Sequence, residues 1–320
     1  MRSTGRRWAI VLAAGDGTRL SSLTTDREGV TTPKQYCTLN AGRSLLEDTI
    51  DRARRIAPRS RIVTIVAERH RSWWGGLLSY QHPANVIAQP RNKGTAVGIL
   101  LPLLSIAARD PHARIAVLPS DHYVENERIL ESALRRAFAE VERRPDDVVL
   151  LGIEPEAPEP DYGWIVPGGP DSSAARPVAR FVEKPDRSAA ERLMEAGAVW
   201  NSFLFVAAAP ALLALYRRRL LELLLALRGA VGPDGAPGPG LSSRYRLLDD
   251  ADFSRQVLCG SEESLRVLAV PACGWTDLGT PARVAQCLSG LPGPPVERAS
   301  RVPGMGAALE LSAMLATSPS

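Results

Sequence analysis

The apolar positions of this chain fall into short runs separated by polar turns. Residues 8–14 form a continuous apolar run, which predicts a buried parallel strand. Similar runs recur at 61–67, 85–88, 114–118 and 147–152. Helical patterns lie between them. One is opened by the capping box Ser44-Leu45-Leu46-Glu47 and reaches about residue 56; others follow the second strand and cover about 96–108 and 127–143. Strand alternating with helix predicts βαβ units and a mostly parallel sheet.

The pattern changes after Glu154. Residues 154–161 are rich in proline and acid and read as a loop; 162–167 and 178–183 are short extended runs, expected to pair antiparallel. A second capping box, Ser188-Ala189-Ala190-Glu191, is expected to open a helix that Gly197 ends. An apolar run at 199–206 leads into a leucine-rich helix expected to continue to about residue 228. A Gly/Pro loop at 232–240 and a late strand at 265–270 follow, then the loop Gly274-Trp275-Thr276-Asp277-Leu278-Gly279-Thr280 and a helix to about 288. The expected fold class is α/β: a Rossmann-like, mostly parallel sheet flanked by helices, with a small antiparallel insertion. Residues 1–288 read as one domain with halves at 8–152 and 153–288, and 289–320 as a linker and poorly ordered tail.

Composition narrows the function classes. A hydrophobic content of 45% and a charged content of 23% over 320 residues are ordinary for a globular protein. The net charge of +4 is small, and the tight cluster Arg217-Arg218-Arg219 reads as a solvated helix face, so nucleic acid is not an expected partner. Cys37, Cys259, Cys273 and Cys287 lack Cys-x-x-Cys spacing, and the four histidines are scattered. That argues against zinc and for reduced thiols in the cytoplasm. The first apolar run leads straight into Asp16 and Arg19, unlike a signal peptide. The longest apolar stretch contains Pro210 and falls short of the ~20 residues of a membrane span.

The candidate chemistry begins at Gly15-Asp16-Gly17-Thr18-Arg19, directly after the first strand. Glycines there let the backbone approach an anion, and Arg19 adds a planar cation suited to phosphate. Leu20 stands where a dinucleotide fingerprint needs its third glycine, and no P-loop starts at Gly15. Taken alone, the run fits a tight turn equally well. Asp121 and Asp277 each follow a predicted strand; they read as turn residues singly and as a Mg2+ pair together. Glu183-Lys184 is either a surface ion pair or a phosphate and hydroxyl contact. Asn201-Ser202 needs partners inside an apolar run, whether substrate or backbone. Gly163 is either a point of close ligand approach or a strand bulge.

Eight motifs then resemble one family in its order: LAAGDGTRL (12–20), PKQY (33–36), QPRNKGTA (89–96), PSDH (119–122), YGWI (162–165), FVEKP (181–185), WNSFLF (200–205) and GWTDLGT (274–280). The chain is similar to nucleotide-sugar pyrophosphorylases, and PKQ, PSDH and WNS favour the mannose-1-phosphate guanylyltransferase branch. The resemblance implies GTP and mannose 1-phosphate as substrates and Mg2+ as cofactor. It implies a nucleotide site formed by Leu12, Ala13, Gly15, Gly17, Thr18 and Arg19, with Gln89, Gly94 and Thr95 toward the base. Gly163, Glu183, Asn201 and Lys184 would take the sugar phosphate, Asp121 and Asp277 the metal, and Arg19, Lys34 and Lys184 the charge of the reacting phosphates. Another sugar 1-phosphate and nucleoside triphosphate, or a catalytically silent paralogue, are the alternatives, and homo-oligomerisation is left open. Ala14, Arg91 and Phe203 depart from the family pattern, Phe203 at a position where glycine is common.

Overall fold

The computed structural model describes residues 6–40, 42–170 and 173–290. Eleven strands are found among them: β1 (Arg7–Ala13), β2 (Thr38–Asn40), β3 (Arg43–Ser44), β4 (Ile62–Ala67), β5 (Val86–Gln89), β6 (Arg114–Pro119), β7 (Val148–Ile153), β8 (Gly163–Pro167), β9 (Arg176–Glu183), β10 (Val199–Ala208) and β11 (Leu265–Val270). β2 and β3 form a small hairpin; the other nine make one sheet in the order β5-β4-β1-β6-β10-β7-β11-β9-β8. β5, β4, β1 and β6 pair in parallel, as do β7 and β11, and β10 runs antiparallel between β6 and β7. One sheet thus crosses both halves of the chain.

Alternation along β1 explains why both faces are covered. Trp8 and Ile10 pack into one apolar layer with helices Gly94–Arg109 and Ala209–Arg219. Ala9, Val11 and Ala13 pack into the other with helices Leu45–Arg54 and Glu127–Arg143. Period-2 side chains on a strand buried from both sides require apolar residues at every position, which is the continuous run seen in the sequence. The helix at 45 carries its full capping box, with the Ser44 side chain accepting from Glu47 N and the Glu47 carboxylate accepting from Ser44 N.

From β1 the chain moves outward to β4 and β5, then returns to place β6 on the other side of β1. The β1/β6 boundary is therefore a topological switch point, where open α/β sheets leave a crevice at the strand ends. β10 widens it. Its residues Phe205 to Ala208 pair with β6, whereas Val199 and Trp200 pair with β8, with a register break between Asn201 and Phe205. One edge of β10 thus exchanges β6 for β8. The space between the end of β6 and the start of β8 is the cleft described below. β8 and β9 pair antiparallel as expected, and they join the main sheet through β10 and β11.

Two expectations are corrected. The helix Arg187–Glu195 is capped by Asp186, whose carboxylate accepts from Ala189 N at 2.7 Å; Ser188 lies inside the helix and receives Arg192 Nη1 instead. Asp is as good an N-cap as Ser and reaches the orphan N–H first. The leucine-rich segment breaks at Leu220 (φ −141°, ψ 53°) into Ala209–Arg219 and Leu221–Arg228. The arginine cluster ending the first helix is exposed, as expected, and two of its members also make contacts. Arg218 pairs with Glu263 at 2.8 Å, and Arg219 donates to the carbonyls of Gln256 and Cys259, placing cations at a helix C-terminus. The expected tail from 291 onward lies outside the described residues.

Candidate active site

The loop after β1 is held from beneath. Gln35, 2% exposed, donates through Nε2 to the carbonyls of Ala13 (3.1 Å) and Gly15 (2.9 Å), and the Tyr36 hydroxyl also reaches Ala13 O at 3.4 Å. With those carbonyls turned inward, the N–H groups of Gly15, Asp16 and Gly17 donate to no group among the described residues. Such a row of unpartnered amides is an anion nest. Gly17 takes φ +63°, and a Cβ there would stand 3.0 Å from Lys34 N, so glycine lets the two segments meet. Asp16 is kept from opposing an anion by Arg69, which pairs with it, and by Asn92 Nδ2 at 3.2 Å.

Lys34 is buried at the centre. Its Nζ lies 2.9 Å from Asp121 Oδ2 and donates to the Asp277 backbone carbonyl at 2.5 Å, joining the ends of β6 and of the 274–280 loop. Burial opposes the charge on Asp121, but Lys34 and His122 outweigh it and hold the carboxyl at about 2. Burial lowers the His122 pKa against the pull of the Asp121 charge, and the ring packs edge-on against Trp275 at 5.4 Å. Asp277 Oδ1 accepts from Gly279 N (2.8 Å), Arg283 Nη1 (3.0 Å) and the Tyr162 hydroxyl (3.2 Å). Arg283 also pairs with Glu159 at 2.6 Å and lies over the Tyr162 ring at 4.2 Å. It therefore fastens helix Pro281–Gly290 to the loop that precedes β8.

On the far wall, Gly163 is opposite Glu183 in the β8–β9 register. A Cβ at Gly163 would stand 2.7 Å from Glu183 Oε2 and 3.3 Å from the Asn201 Cβ, so glycine admits both side chains. Burial, then the Asp252 charge, raises the Glu183 pKa, with Lys184 and Arg255 acting against them. The Asn201 carbonyl oxygen accepts from Phe203 N at 3.1 Å, and Ser202 Oγ donates to Leu151 O at 2.6 Å. Ser202 thus serves the backbone of the β10 bulge, while Asn201 keeps its amide NH2 for the cleft. Lys184 (φ +49°), Phe203 (φ +60°) and Leu278 (φ +50°) are the left-handed non-glycine residues among those described. Strain of about 1–3 kcal/mol each gathers at functional sites when side chains there are needed.

One cleft of about 300 Å3 brings together Leu12, Gly15, Arg19, Thr95 and Asp121 from the first half of the chain with Gly163, Glu183, Lys184, Asn201 and Asp277 from the second. An adjoining recess, sharing Arg19, Asp121 and Asp277, is lined by Gly17, Thr18 and Lys34. Ala13, Gln89 and Gly94 lie outside both linings. Gln89 is buried beneath the Tyr245 hydroxyl at 3.5 Å. Gly94 (φ +84°) lets the chain at Ala251 close on the helix start, where a Cβ would come within 2.3 Å of Ala251 O. These two residues build the wall behind Thr95. Arg19 and Lys184 are exposed, and their side chains make no hydrogen bond or ion pair among the described residues. Gln35 and Arg283 are supporting residues that the sequence does not single out, although Gln35 stands inside the PKQY motif.

A cation can be tested against these donors. Asp277 Oδ2 accepts no hydrogen bond among the described residues, and Asp121 Oδ1 has His122 Nε2 no closer than 3.6 Å. Two hard oxygens bordering a cleft with free amides and cations suit Mg2+, which takes few protein ligands and keeps water and substrate oxygens. Among the described residues no group of three or more His, Cys, Asp or Glu forms an all-protein metal cage.

Fold and site define an open-sheet α/β protein whose cleft, at the switch point, joins carboxylates to unpaired cations from two halves of the sheet. The chain belongs to the nucleotidyl transferase family, whose profile matches residues 8–287. It is 33% identical over 279 residues to the xanthan biosynthesis protein XanB of Xanthomonas campestris pv. campestris strain B100, covering 85% of this chain and 57% of that protein. It is 31% identical over 295 residues to a mannose-1-phosphate guanylyltransferase of Escherichia coli K12, covering 85% of this chain and 58% of that protein. The chain thus spans somewhat over half the length of these curated relatives. The crystal structure of mannose-1-phosphate geranyltransferase from Thermus thermophilus superposes with a TM-score of 0.76 at 27% identity, covering 90% of this chain and 80% of that one. The architecture is the nucleotide-diphospho-sugar transferase fold.

Proposed function

We propose that this chain transfers a nucleotidyl group from GTP to mannose 1-phosphate, forming GDP-mannose and pyrophosphate. The observation that carries this reading is the pair of unpaired cations, Arg19 and Lys184, lining one cleft from different halves of the sheet. Each can take a separate anion, as a reaction between two phosphate compounds requires. The names of relatives such as the Escherichia coli K12 protein support the sugar and the base.

In the proposed reaction an oxygen of the sugar phosphate attacks the α-phosphorus in line. The new P–O bond forms as the bond from the α-phosphorus to the bridging oxygen breaks, and the electron pair leaves with pyrophosphate. The sugar phosphate is largely dianionic near neutral pH, its second pKa being about 6, so no general base is needed. The task left to the protein is positioning and neutralising charge. The amides of Gly15 to Gly17 and Arg19 hold the triphosphate, and Arg19 stabilises the leaving pyrophosphate. Lys184 holds the sugar phosphate, while Glu183 and the Asn201 amide meet sugar hydroxyls. Lys34, which borders the recess beside Arg19, adds charge for the reacting phosphates and links Asp121 to the carbonyl of Asp277, the two residues that would hold Mg2+. Bound there, the ion would neutralise charge on the reacting phosphates. Among the described residues no helix is long and apolar enough to cross a membrane; a cytoplasmic location is part of the proposal.

The test is pyrophosphate release with Mg2+ across four nucleoside triphosphates and several sugar 1-phosphates. Release with GTP and mannose 1-phosphate above all other pairs is the expected result. Release with a different pair retains the chemistry and rejects the substrates. No release with any pair rejects the reading.

A further inference from the structure

Phe203 lines the cleft, and the proposed reaction gives it no role. Its φ of +60° is a conformation that glycine takes freely and phenylalanine does not. The bulge around it is closed without help from the ring, by Asn201 accepting from Phe203 N and Ser202 donating to Leu151 O. The ring is half-buried and lines the cleft together with Asn201, Glu183 and Thr95. It rests edge-on against Phe253, with centroids 6.1 Å apart. Phe253 is fully buried, stacked on Phe205 at 5.1 Å, and its N–H is fixed by Thr95 Oγ1 at 2.8 Å. The ring therefore has a rigid support.

We infer that Phe203 is a specificity-determining residue that limits the size of the sugar 1-phosphate. The inference rests on the nucleotidyl transfer proposed above and deepens it. Glu183 and the Asn201 amide offer hydrogen bonds to hydroxyls, whereas Phe203 offers only an apolar surface in a cleft of about 300 Å3. A plain hexose can place hydroxyls on the polar residues and C–H groups on the ring. A 2-acetamido hexose adds both bulk and an amide, and an amide buried against a ring lacks partners.

The experiment compares the wild type with Phe203→Gly, using mannose 1-phosphate, glucose 1-phosphate and their N-acetylhexosamine counterparts, with pyrophosphate release as the readout. The wild type should favour the plain hexose by about 100-fold or more in kcat/KM, and Phe203→Gly should cut that ratio at least about tenfold. The change should fall on KM for the N-acetyl sugar more than on KM for the nucleoside triphosphate. Phe203→Leu, which keeps bulk, should retain the preference. Phe203→Asn, which tolerates the left-handed backbone, replaces Phe203→Gly if the latter fails to fold. An unchanged ratio in a folded glycine or asparagine variant overturns the inference and leaves the reaction standing. So does a wild type that uses both sugar classes equally. No turnover of any pair by the wild type overturns the reaction, and this inference with it.

Discussion

The loop after β1 and the region from β8 to β10 face the same cleft but solve their backbone geometry differently. In and beside the first, left-handed positions are glycines: Gly17 at φ +63° and Gly94 at +84°. In the second the cleft-lining ones are Lys184 at +49° and Phe203 at +60°, while Gly197, at +74°, ends a helix outside the cleft. Where backbone amides form the contact surface, a side chain obstructs, as the 3.0 Å approach to Lys34 N at Gly17 makes plain. Where side chains form the surface, a strained backbone is tolerated to present them. The carboxylates differ in the same way. Asp121, beside buried Lys34, is held at about 2, whereas Glu183, desolvated and near Asp252, is pushed up. One wall holds its carboxylate ionised, and the other disfavours ionisation of its own.

Removing the loop's free cation should have the largest effect. Arg19→Ala should lower kcat/KM by about 100- to 1,000-fold, the scale of losing one preorganised transition-state contact. Its urea midpoint should stay near the wild-type value, because the exposed Arg19 side chain has no hydrogen bond or ion pair among the described residues to lose; a clear drop in stability would contradict the assignment. Gly94→Ala comes next. Its Cβ would stand 2.3 Å from Ala251 O at φ +84°, so a urea melt should show a loss of about 1–3 kcal/mol. An unshifted melt would break the claim that glycine is required on this side. Lys184→Ala should raise KM for the sugar phosphate about tenfold, as loss of a charge-assisted contact would, with a smaller change for the triphosphate. The reverse order would exchange the two walls.

The smallest expected effect is on pH. Between pH 7 and 5, turnover should fall with the second ionisation of the sugar phosphate near 6, while Asp121 stays charged. The Asp121 pKa is depressed on folding, so its contribution is complete above its unfolded value near 3.8 and is lost as pH falls toward about 2. Asp121→Asn should remove that acid limb from a stability–pH curve. Glu183 has the opposite sign: its ionisation costs stability, and the cost is relieved as pH falls through its raised pKa.

Local chemistry was legible in the sequence. The Ser44 capping box and the helix Glu127–Arg143 were found where the pattern put them, because caps and periodicity act over a few residues. The Asp186 cap was misread because two good capping residues stand two positions apart. The glycine loop and the cleft-lining Asp121 and Asp277 were legible through the motif order. Arg283 was not, since nothing distinguishes it among 39 lysines and arginines, and its partner Glu159 lies 124 residues away. The Lys34–Asp121 pair and the clamp by Gln35 are likewise long-range contacts that no local pattern encodes. Phe203 was visible as a departure, but its left-handed backbone, which explains a preference for glycine there, required the structure.

In the proposed reaction the cleft joins two phosphate compounds at the α-phosphorus of one of them. That is tested most directly by following labelled GTP with mannose 1-phosphate and Mg2+. An α-phosphorus label should appear in the sugar nucleotide and a γ-phosphorus label in pyrophosphate, in equal amounts. A γ-label released as inorganic phosphate, or an α-label that stays in GTP while the sugar phosphate is consumed, would contradict it.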